Sequence, residues 1–246
     1  MRSFRIFLSA LLLVIVTTAS AQTTITRPFN KIIVSPYIQV TLVQGDKESV
    51  TIDNIKVDNS KLHIEVNNNT LRIYLDGAKD FPKYEKNYVN GHKETHPRYM
   101  KTSVCATITY KTLQALSFRG EEDQLCKSPI NGDELTVKIY GESTVSFDEL
   151  NLKQLSATLY GESTLNIKTG SVKDQKYTCY GEGRINSLSI QGNTSRLVAY
   201  GEADFRLNVA DRIRIISFGE ARLHYKGNPE INKGLHIGDV VIDRMD

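Results

Sequence analysis

Apolar and polar residues alternate one for one along most of this 246-residue chain. Leu135, Val137 and Ile139 are separated by polar residues, and the run that begins at Leu155 repeats the pattern 20 positions later. A period of two places one side of a strand in the core and the other in water, whereas a helix has a period of about 3.6. No stretch shows a convincing helical period, and polar turns such as Gln191-Gly192-Asn193 separate the runs. We therefore predict an all-β protein.

A three-residue motif of aromatic residue, glycine and glutamate recurs at a nearly fixed interval. Its copies are Tyr140-Gly141-Glu142, Tyr160-Gly161-Glu162, Tyr180-Gly181-Glu182, Tyr200-Gly201-Glu202 and Phe218-Gly219-Glu220, preceded by the variant Arg119-Gly120-Glu121. The interval is 20 residues between the tyrosine copies, 21 before them and 18 after them. A unit of this length cannot bury an apolar side alone, so similar units must stack. A propeller blade would need about twice this period, and we predict a parallel β-helix-like solenoid with coils of about 20 residues.

The first 21 residues have the pattern of a secretory signal peptide. Arg2 and Arg5 precede an apolar run from Ile6 to Val16, and Ala19-Ser20-Ala21 forms a cleavage site before Gln22. The alternative is an uncleaved anchor, but the apolar run is shorter than the roughly 20 residues that cross a bilayer. No later stretch is long and apolar enough to do so. We therefore expect an exported protein, in the periplasm, on the cell surface or secreted, with no membrane span after cleavage.

The remaining chain is predicted to be one solenoid domain, residues 22–246, in four parts. Residues 22–76 alternate less regularly and should form irregular first coils or a capping sheet. Residues 77–104 are a polar insertion rich in lysine and tyrosine, either a solvated mobile loop or a binding loop. Residues 105–227 carry the regular coils, and residues 228–246 form a C-terminal tail or cap.

Charge and cysteine content narrow the class of protein. The formal net charge of +3 falls to +1 without Arg2 and Arg5, so nothing electrostatic favours a nucleic-acid partner. Three cysteines can form at most one disulfide in an oxidising compartment. Cys105 and Cys126 are 21 residues apart, about one coil, and we consider a bridge between them. Cys179 lies at an apolar position and is expected to be a small buried hydrophobic residue.

Several segments give the chain a likeness to one family. They are Phe29-Asn30-Lys31-Ile32-Ile33-Val34, Val40-Thr41-Leu42-Val43-Gln44-Gly45-Asp46, Thr70-Leu71-Arg72-Ile73, the serial glycine coils and Tyr225-Lys226-Gly227-Asn228-Pro229. With these marks the chain resembles the auto-transporter adhesin head GIN domain of Bacteroidetes over essentially all of residues 22–246. The resemblance implies a right-handed β-helix-like fold and an extracytoplasmic, adhesive role, and it supplies no catalytic residues. Family members typically carry small residues such as Gly-Ala-Gly where this chain has Tyr-Gly-Glu, so the glutamates depart from the family pattern.

Stacked coils would place the motif residues in two columns. The aromatic column is Tyr140, Tyr160, Tyr180, Tyr200 and Phe218, and the acidic column is Glu121, Glu142, Glu162, Glu182, Glu202 and Glu220. Strand parity puts both on the outer surface, unless the glycine bends the chain. The rings either only stabilise the sheet or form a platform for sugar rings, with carboxylates accepting hydrogen bonds from hydroxyl groups. The candidate ligand-binding residues are therefore Tyr140, Tyr160, Tyr180, Tyr200, Glu142, Glu162, Glu182 and Glu202.

The acidic column needs compensation. Like charges about 5 Å apart repel by roughly 1 kcal/mol per pair in water. Arg184, Arg206 and Arg222 lie nearby in sequence, and a bound Ca²⁺ is the alternative. We predict no other cofactor and no other metal site.

These features favour an exported cell-envelope or surface protein that binds or adheres, with a glycan or a partner protein as the ligand. The alternatives are a polysaccharide-active β-helix enzyme, a lyase or hydrolase, and a purely structural envelope solenoid. Such an enzyme needs acids clustered on one or two coils, whereas here the acids repeat evenly. We therefore predict no catalytic residue.

Overall fold

The structure is a computed structural model that describes residues 21–24, 27–89 and 92–245. The predicted signal peptide lies outside the described residues, apart from Ala21. Within the described ranges the chain forms sixteen strands and one 3₁₀ turn, Asn59–Lys61. The strands are β1 (Ala21–Thr24), β2 (Lys31–Val34), β3 (Ile38–Gln44), β4 (Ser49–Ile55), β5 (Leu62–Asn67), β6 (Thr70–Leu75), β7 (Tyr84–Val89), β8 (His92–Pro97), β9 (Val104–Tyr110), β10 (Ala115–Gly120), β11 (Gln124–Cys126), β12 (Ile130–Gly141), β13 (Thr144–Gly161), β14 (Thr164–Lys226), β15 (Glu230–Ile237) and β16 (Val240–Arg244). These residues include no α-helix, hence no helix that could cross a membrane. The predicted all-β fold is confirmed.

The long strands β12, β13 and β14 run around the corners of a solenoid of about six turns. Neighbouring coils pair in parallel over three short segments, and the pairing is interrupted at the corners between them. We call these segments the first face, which leads into the motif glycine, the second face, which follows it, and the third face. In β13 and the start of β14 they are 154–160 against 174–180, 144–147 against 164–167, and 149–152 against 169–172. The offset of 20 residues is the predicted repeat.

The core fills the interior of the solenoid because every second residue of each face points inward. Leu155, Leu159 and Leu165 are fully buried, as are the rings of Phe147 and Phe205. Fully burying a side chain of this size stabilises the fold by roughly 1.5–3 kcal/mol. A single coil exposes both of its edges, so this stabilisation requires neighbours on either side.

The motif glycine forms the corner between the first and second faces. Gly141 has φ +107° and Gly161 has φ +95°, a left-handed backbone that other residues rarely adopt. A Cβ at Gly161 would lie 2.6 Å from the carbonyl oxygen of Gly141 in the coil below. The chain therefore bends at the glycine, so that the tyrosine lies on the first face and the glutamate on the corner beyond it.

A seventh copy of the motif was missed in the sequence. Ile237 pairs with Phe218, and Gly238 has φ +100° with its Cα against the Gly219 carbonyl. Isoleucine and Asp239 stand in the aromatic and acidic positions and hide the repeat. The C-terminal strands β15 and β16 pair in parallel with β14, so much of residues 228–246 is a last coil.

The N-terminal end is both coil and cap. Strand β2 pairs in parallel with β6 on one side and β10 on the other, and β3 lies between β9 and β11 in the same way. Strands β5 and β4 then close the end by antiparallel pairing with β6 and β9. Antiparallel cover of this kind protects the open edge of a solenoid.

The polar insertion contains a two-stranded antiparallel hairpin, β7 and β8, which forms its own small sheet. Its side chains are exposed, including Tyr84 (61%) and Tyr88 (74%). Its base is fixed by Tyr99, whose hydroxyl donates to the Asp76 carbonyl at 2.9 Å and whose ring meets the edge of Tyr37. The insertion is therefore a structured hairpin, not the loop without secondary structure that the sequence suggested.

The disulfide considered between Cys105 and Cys126 is wrong, since both thiols are free. Strand β3 lies between them: Cys105 pairs with Gln39 on one side of it and Cys126 with Leu42 on the other. Two strand spacings amount to about 9–10 Å, beyond the reach of a disulfide. The inserted β3 coil makes the sequence spacing misleading. Cys179 is fully buried, as predicted.

Candidate functional site

The aromatic column is a continuous ladder of stacked rings. Ring centroids are 4.7 Å apart between Tyr140 and Tyr160, 4.9 Å at each of the next two steps, and 5.1 Å between Tyr200 and Phe218. The planes are within 4° of parallel. Aromatic pairs contribute about 0.5–1.5 kcal/mol each beyond their buried area. The ladder therefore ties five successive coils together along one face.

The stacking also determines what the ladder can offer a ligand. Each interior ring has both faces covered by its neighbours, and the Arg119 guanidinium lies 5.5 Å from the Tyr140 ring centre at one end. Sugar rings therefore cannot lie flat on the interior tyrosines. What remains free is the outer edge with its hydroxyl groups, and Tyr180 and Tyr200 are 40% and 41% exposed. Burial between its neighbours raises the pKa of Tyr160, so the phenol stays protonated and can donate.

The acidic column follows the glycine bend and is exposed along its length. Glu142 and Glu162 lie between paired glycines and paired threonines, so their backbones stack one coil apart, at about 4.8 Å. Within the described ranges, no ion pair or side-chain hydrogen bond involves Glu142, Glu162, Glu182 or Glu202. Arg206 pairs with Asp204 at 3.3 Å. Arg184 and Arg222 border the same depression as Glu182 and Glu202 without forming an ion pair.

The calcium hypothesis gains no geometric support. A Ca²⁺ ion takes six to eight oxygen ligands. In the part of the chain that the structure describes, no three His, Cys, Asp or Glu side chains lie close enough to hold a metal ion. The carboxylates instead point outward one by one, available to hydrogen-bond donors of a ligand.

A row of cations on the first face escaped the sequence reasoning. Lys176, Arg196 and Arg214 each precede the aromatic residue of their coil by four positions, and all are exposed. Aligning the copies on the glycine would have revealed the row, since the period is the same. The outer surface of the later coils therefore carries a basic row and an acidic column, about 20 Å apart along the strand, with the aromatic ladder between them.

Comparison with known proteins agrees with this architecture. Residues 28–229 match the family model described as putative auto-transporter adhesin, head GIN domain. A putative adhesin from Bacteroides fragilis has a similar structure at 21% identity, with a TM-score of 0.69, covering 93% of this chain and 98% of that one.

Two further solved structures have the same fold. A putative adhesin from Parabacteroides merdae has a TM-score of 0.58 at 18% identity, covering 93% of this chain and 96% of that one. A protein from Parabacteroides distasonis described as a putative lipid binding protein has a TM-score of 0.55 at 20% identity, with the same coverage. No curated protein matches the sequence. The match over most of the chain shows that this solenoid belongs to the putative auto-transporter adhesin family with the head GIN domain.

Proposed function

We propose that the protein is an exported adhesion protein that binds an extended glycan along the edge formed by the tyrosine hydroxyls and the glutamate column. The observation that carries the proposal is the repetition of unpaired hydrogen-bonding groups at one coil spacing, 4.7–5.1 Å between rings. A ligand that fits such an array must itself be long and repetitive. A polymer of hydroxyl-bearing sugars meets that requirement.

The chemistry of the edge suits hydroxyl groups. Ionised carboxylates accept charge-assisted hydrogen bonds, which are roughly twice as strong as neutral ones. Phenol hydroxyls both donate and accept. Each coil adds one phenol or one carboxylate pair partner, so weak contacts accumulate along a bound strand as in multivalent binding.

The edge is less suited to catalysis. Glycoside cleavage needs a carboxylic acid that a sheltered environment keeps protonated. The glutamates of the column are exposed and equivalent from coil to coil. This supports binding over hydrolysis, in agreement with the adhesin naming of the family.

Binding to a panel of neutral and charged glycans tests the proposal. The variant Tyr180→Phe/Tyr200→Phe keeps the ring stack and removes two hydroxyl groups, and Glu182→Gln/Glu202→Gln removes two charges. Each should weaken glycan binding about tenfold or more, since each lost charged or buried hydrogen bond is worth about 1 kcal/mol or more. The matched control Tyr84→Phe/Tyr88→Phe, on the hairpin, should bind like the parent protein. Equal binding by all variants would refute the proposed edge, and a panel without any bound glycan would favour a protein partner.

A further inference from the structure

The basic row on the first face has no partner within the protein. Lys176, Arg196 and Arg214 occupy one position in three successive coils, and Arg212 lies two residues before Arg214. None of these four side chains forms an ion pair or a hydrogen bond with any described residue. The equivalent positions of earlier coils are Thr136 and Ser156, so the charge is local to the C-terminal half.

These cations line a cleft of about 510 Å³, which we call the arginine cleft. Its lining includes Lys176, Arg196, Arg212 and Arg214 with one carboxylate, Asp174. The Asp174 carboxylate already accepts a hydrogen bond from the Thr194 hydroxyl at 2.6 Å. Four cations therefore face one occupied carboxylate.

Two buried polar side chains also line the arginine cleft. Gln175 and Ser195 are each 3% exposed, and the Gln175 side-chain oxygen and the Ser195 hydroxyl have no hydrogen-bond partner in the protein. The Gln175 amide nitrogen donates to the Val172 carbonyl at 3.3 Å, which fixes the side chain. Unsatisfied buried polar groups are rare in folded proteins, and they are common where a ligand or water completes the site.

The electrostatics call for an anion. Cations one coil apart, at about 4.8 Å, repel by roughly 1 kcal/mol per pair in water and by more where solvent is restricted. An anion between them replaces repulsion with attraction, and guanidinium groups bind carboxylate or sulfate through two parallel hydrogen bonds. The geometry points to a site for the carboxylate or sulfate groups of an acidic polysaccharide, held in the arginine cleft with its chain along the solenoid axis.

A polymer fits better than a membrane surface. The row spans two coil spacings, about 10 Å, and so presents several cations in line. Insertion into lipid would require exposed apolar side chains beside the cations. The neighbouring outward residues are Thr178 and Val198, which are only 8% and 9% exposed. The inference rests on the proposed function for the polymer as ligand, although it uses different residues.

Binding of a galacturonate hexamer, measured by calorimetry at low and at physiological salt, tests the site. We expect binding that weakens with salt, and a loss of at least tenfold in the variant Arg196→Gln/Arg214→Gln, the effect of about 1.4 kcal/mol. The control Lys86→Gln/Lys93→Gln removes the same charge from the exposed hairpin and should change affinity less than about twofold. The methyl-esterified hexamer should not bind. Circular dichroism checks that each variant is folded.

Three outcomes would overturn the inference. They are equal losses in the two charge variants, equal affinity for the ester, and no binding of the hexamer. Vesicles of phosphatidylglycerol provide a fourth arm: binding to them that depends on Arg196 and Arg214, without hexamer binding, would assign the cleft to lipid. Hexamer binding that survives Tyr180→Phe/Tyr200→Phe supports the arginine cleft separately from the tyrosine edge. Conversely, neutral glycan binding without hexamer binding would reject the cleft and leave the proposed function intact.

Discussion

Replacement of the corner glycines by alanine should destabilise the solenoid in a graded way. At Gly161 a Cβ would lie 2.6 Å from the Gly141 carbonyl oxygen, and at Gly181 it would lie 3.0 Å from the Gly161 oxygen. Both glycines have a left-handed backbone, φ +95° and +101°. That conformation costs an alanine about 1–2 kcal/mol, and overpacking adds about 1–3 kcal/mol where the contact is closest. The smaller entropy of an unfolded alanine chain offsets about 0.4–1 kcal/mol.

The expected loss is therefore about 2–4 kcal/mol for Gly161→Ala and about 1–2 kcal/mol for Gly181→Ala. Gly132→Ala is the matched control in a neighbouring coil, because its Cβ would meet only Leu152, at 4.0 Å. It should be neutral or slightly stabilising. Urea unfolding followed by circular dichroism gives the three free energies. If Gly132→Ala costs as much as Gly161→Ala, the corner does not require glycine; if Gly161→Ala and Gly181→Ala cost the same, the carbonyl contact contributes nothing beyond the backbone conformation.

Three further predictions concern titratable groups. Burial raises the pKa of Cys179 to about 12 and leaves both it and Cys126 fully covered, so a thiol reagent at neutral pH should modify one of the three cysteines, Cys105, and all three after denaturation; fast modification of two would contradict the burial. Burial raises the pKa of Tyr110 and Tyr177, so the folded state holds their protons more tightly and stability should fall as the pH rises above about 10, the ordinary tyrosine value; equal unfolding free energies at pH 8 and 11 would contradict this. Burial likewise raises the pKa of Glu122, so its contribution is present at acidic pH and is lost as the pH rises from about 4.3 through the folded value, and Glu122→Gln should flatten the pH dependence of the melting temperature in that window; an unchanged slope would count against it.

The regular coils were predictable because each one repeats the same local chemistry. Leu135, Val137 and Ile139 point inward as their alternation indicated, and the register of Tyr140 on Tyr160 follows the 20-residue period. The position of the glutamates was open, because strand parity does not include a bend. The left-handed φ at the glycine settles it, and that angle is a tertiary consequence of the next coil's carbonyl.

Other features lay beyond the sequence because they depend on contacts between distant segments. The failed pairing of Cys105 with Cys126 assumed that sequence order equals coil order, which β3 violates. The stacking of ring on ring, which leaves only the phenol edges free, required the side-chain geometry. The arginine cleft was within reach of the sequence, since Lys176, Arg196 and Arg214 share one position of the repeat.

The interleaved N-terminal coil has a consequence for the order of folding. In the regular coils each strand pairs with one about 20 residues away, whereas Lys31 pairs with Thr70 and with Ala115, separations of 39 and 84 residues. Loop closure over such distances is slow, so the segment made first during synthesis must wait for residues beyond 115 before its coil is complete. Coils nearer the C-terminus add to their neighbours by local pairing and need no such wait. Nucleation should therefore begin among the tyrosine coils and proceed toward the N-terminus, opposite to the direction of synthesis, and until then Ile32, Val34 and Val40 remain exposed to other chains and to chaperones.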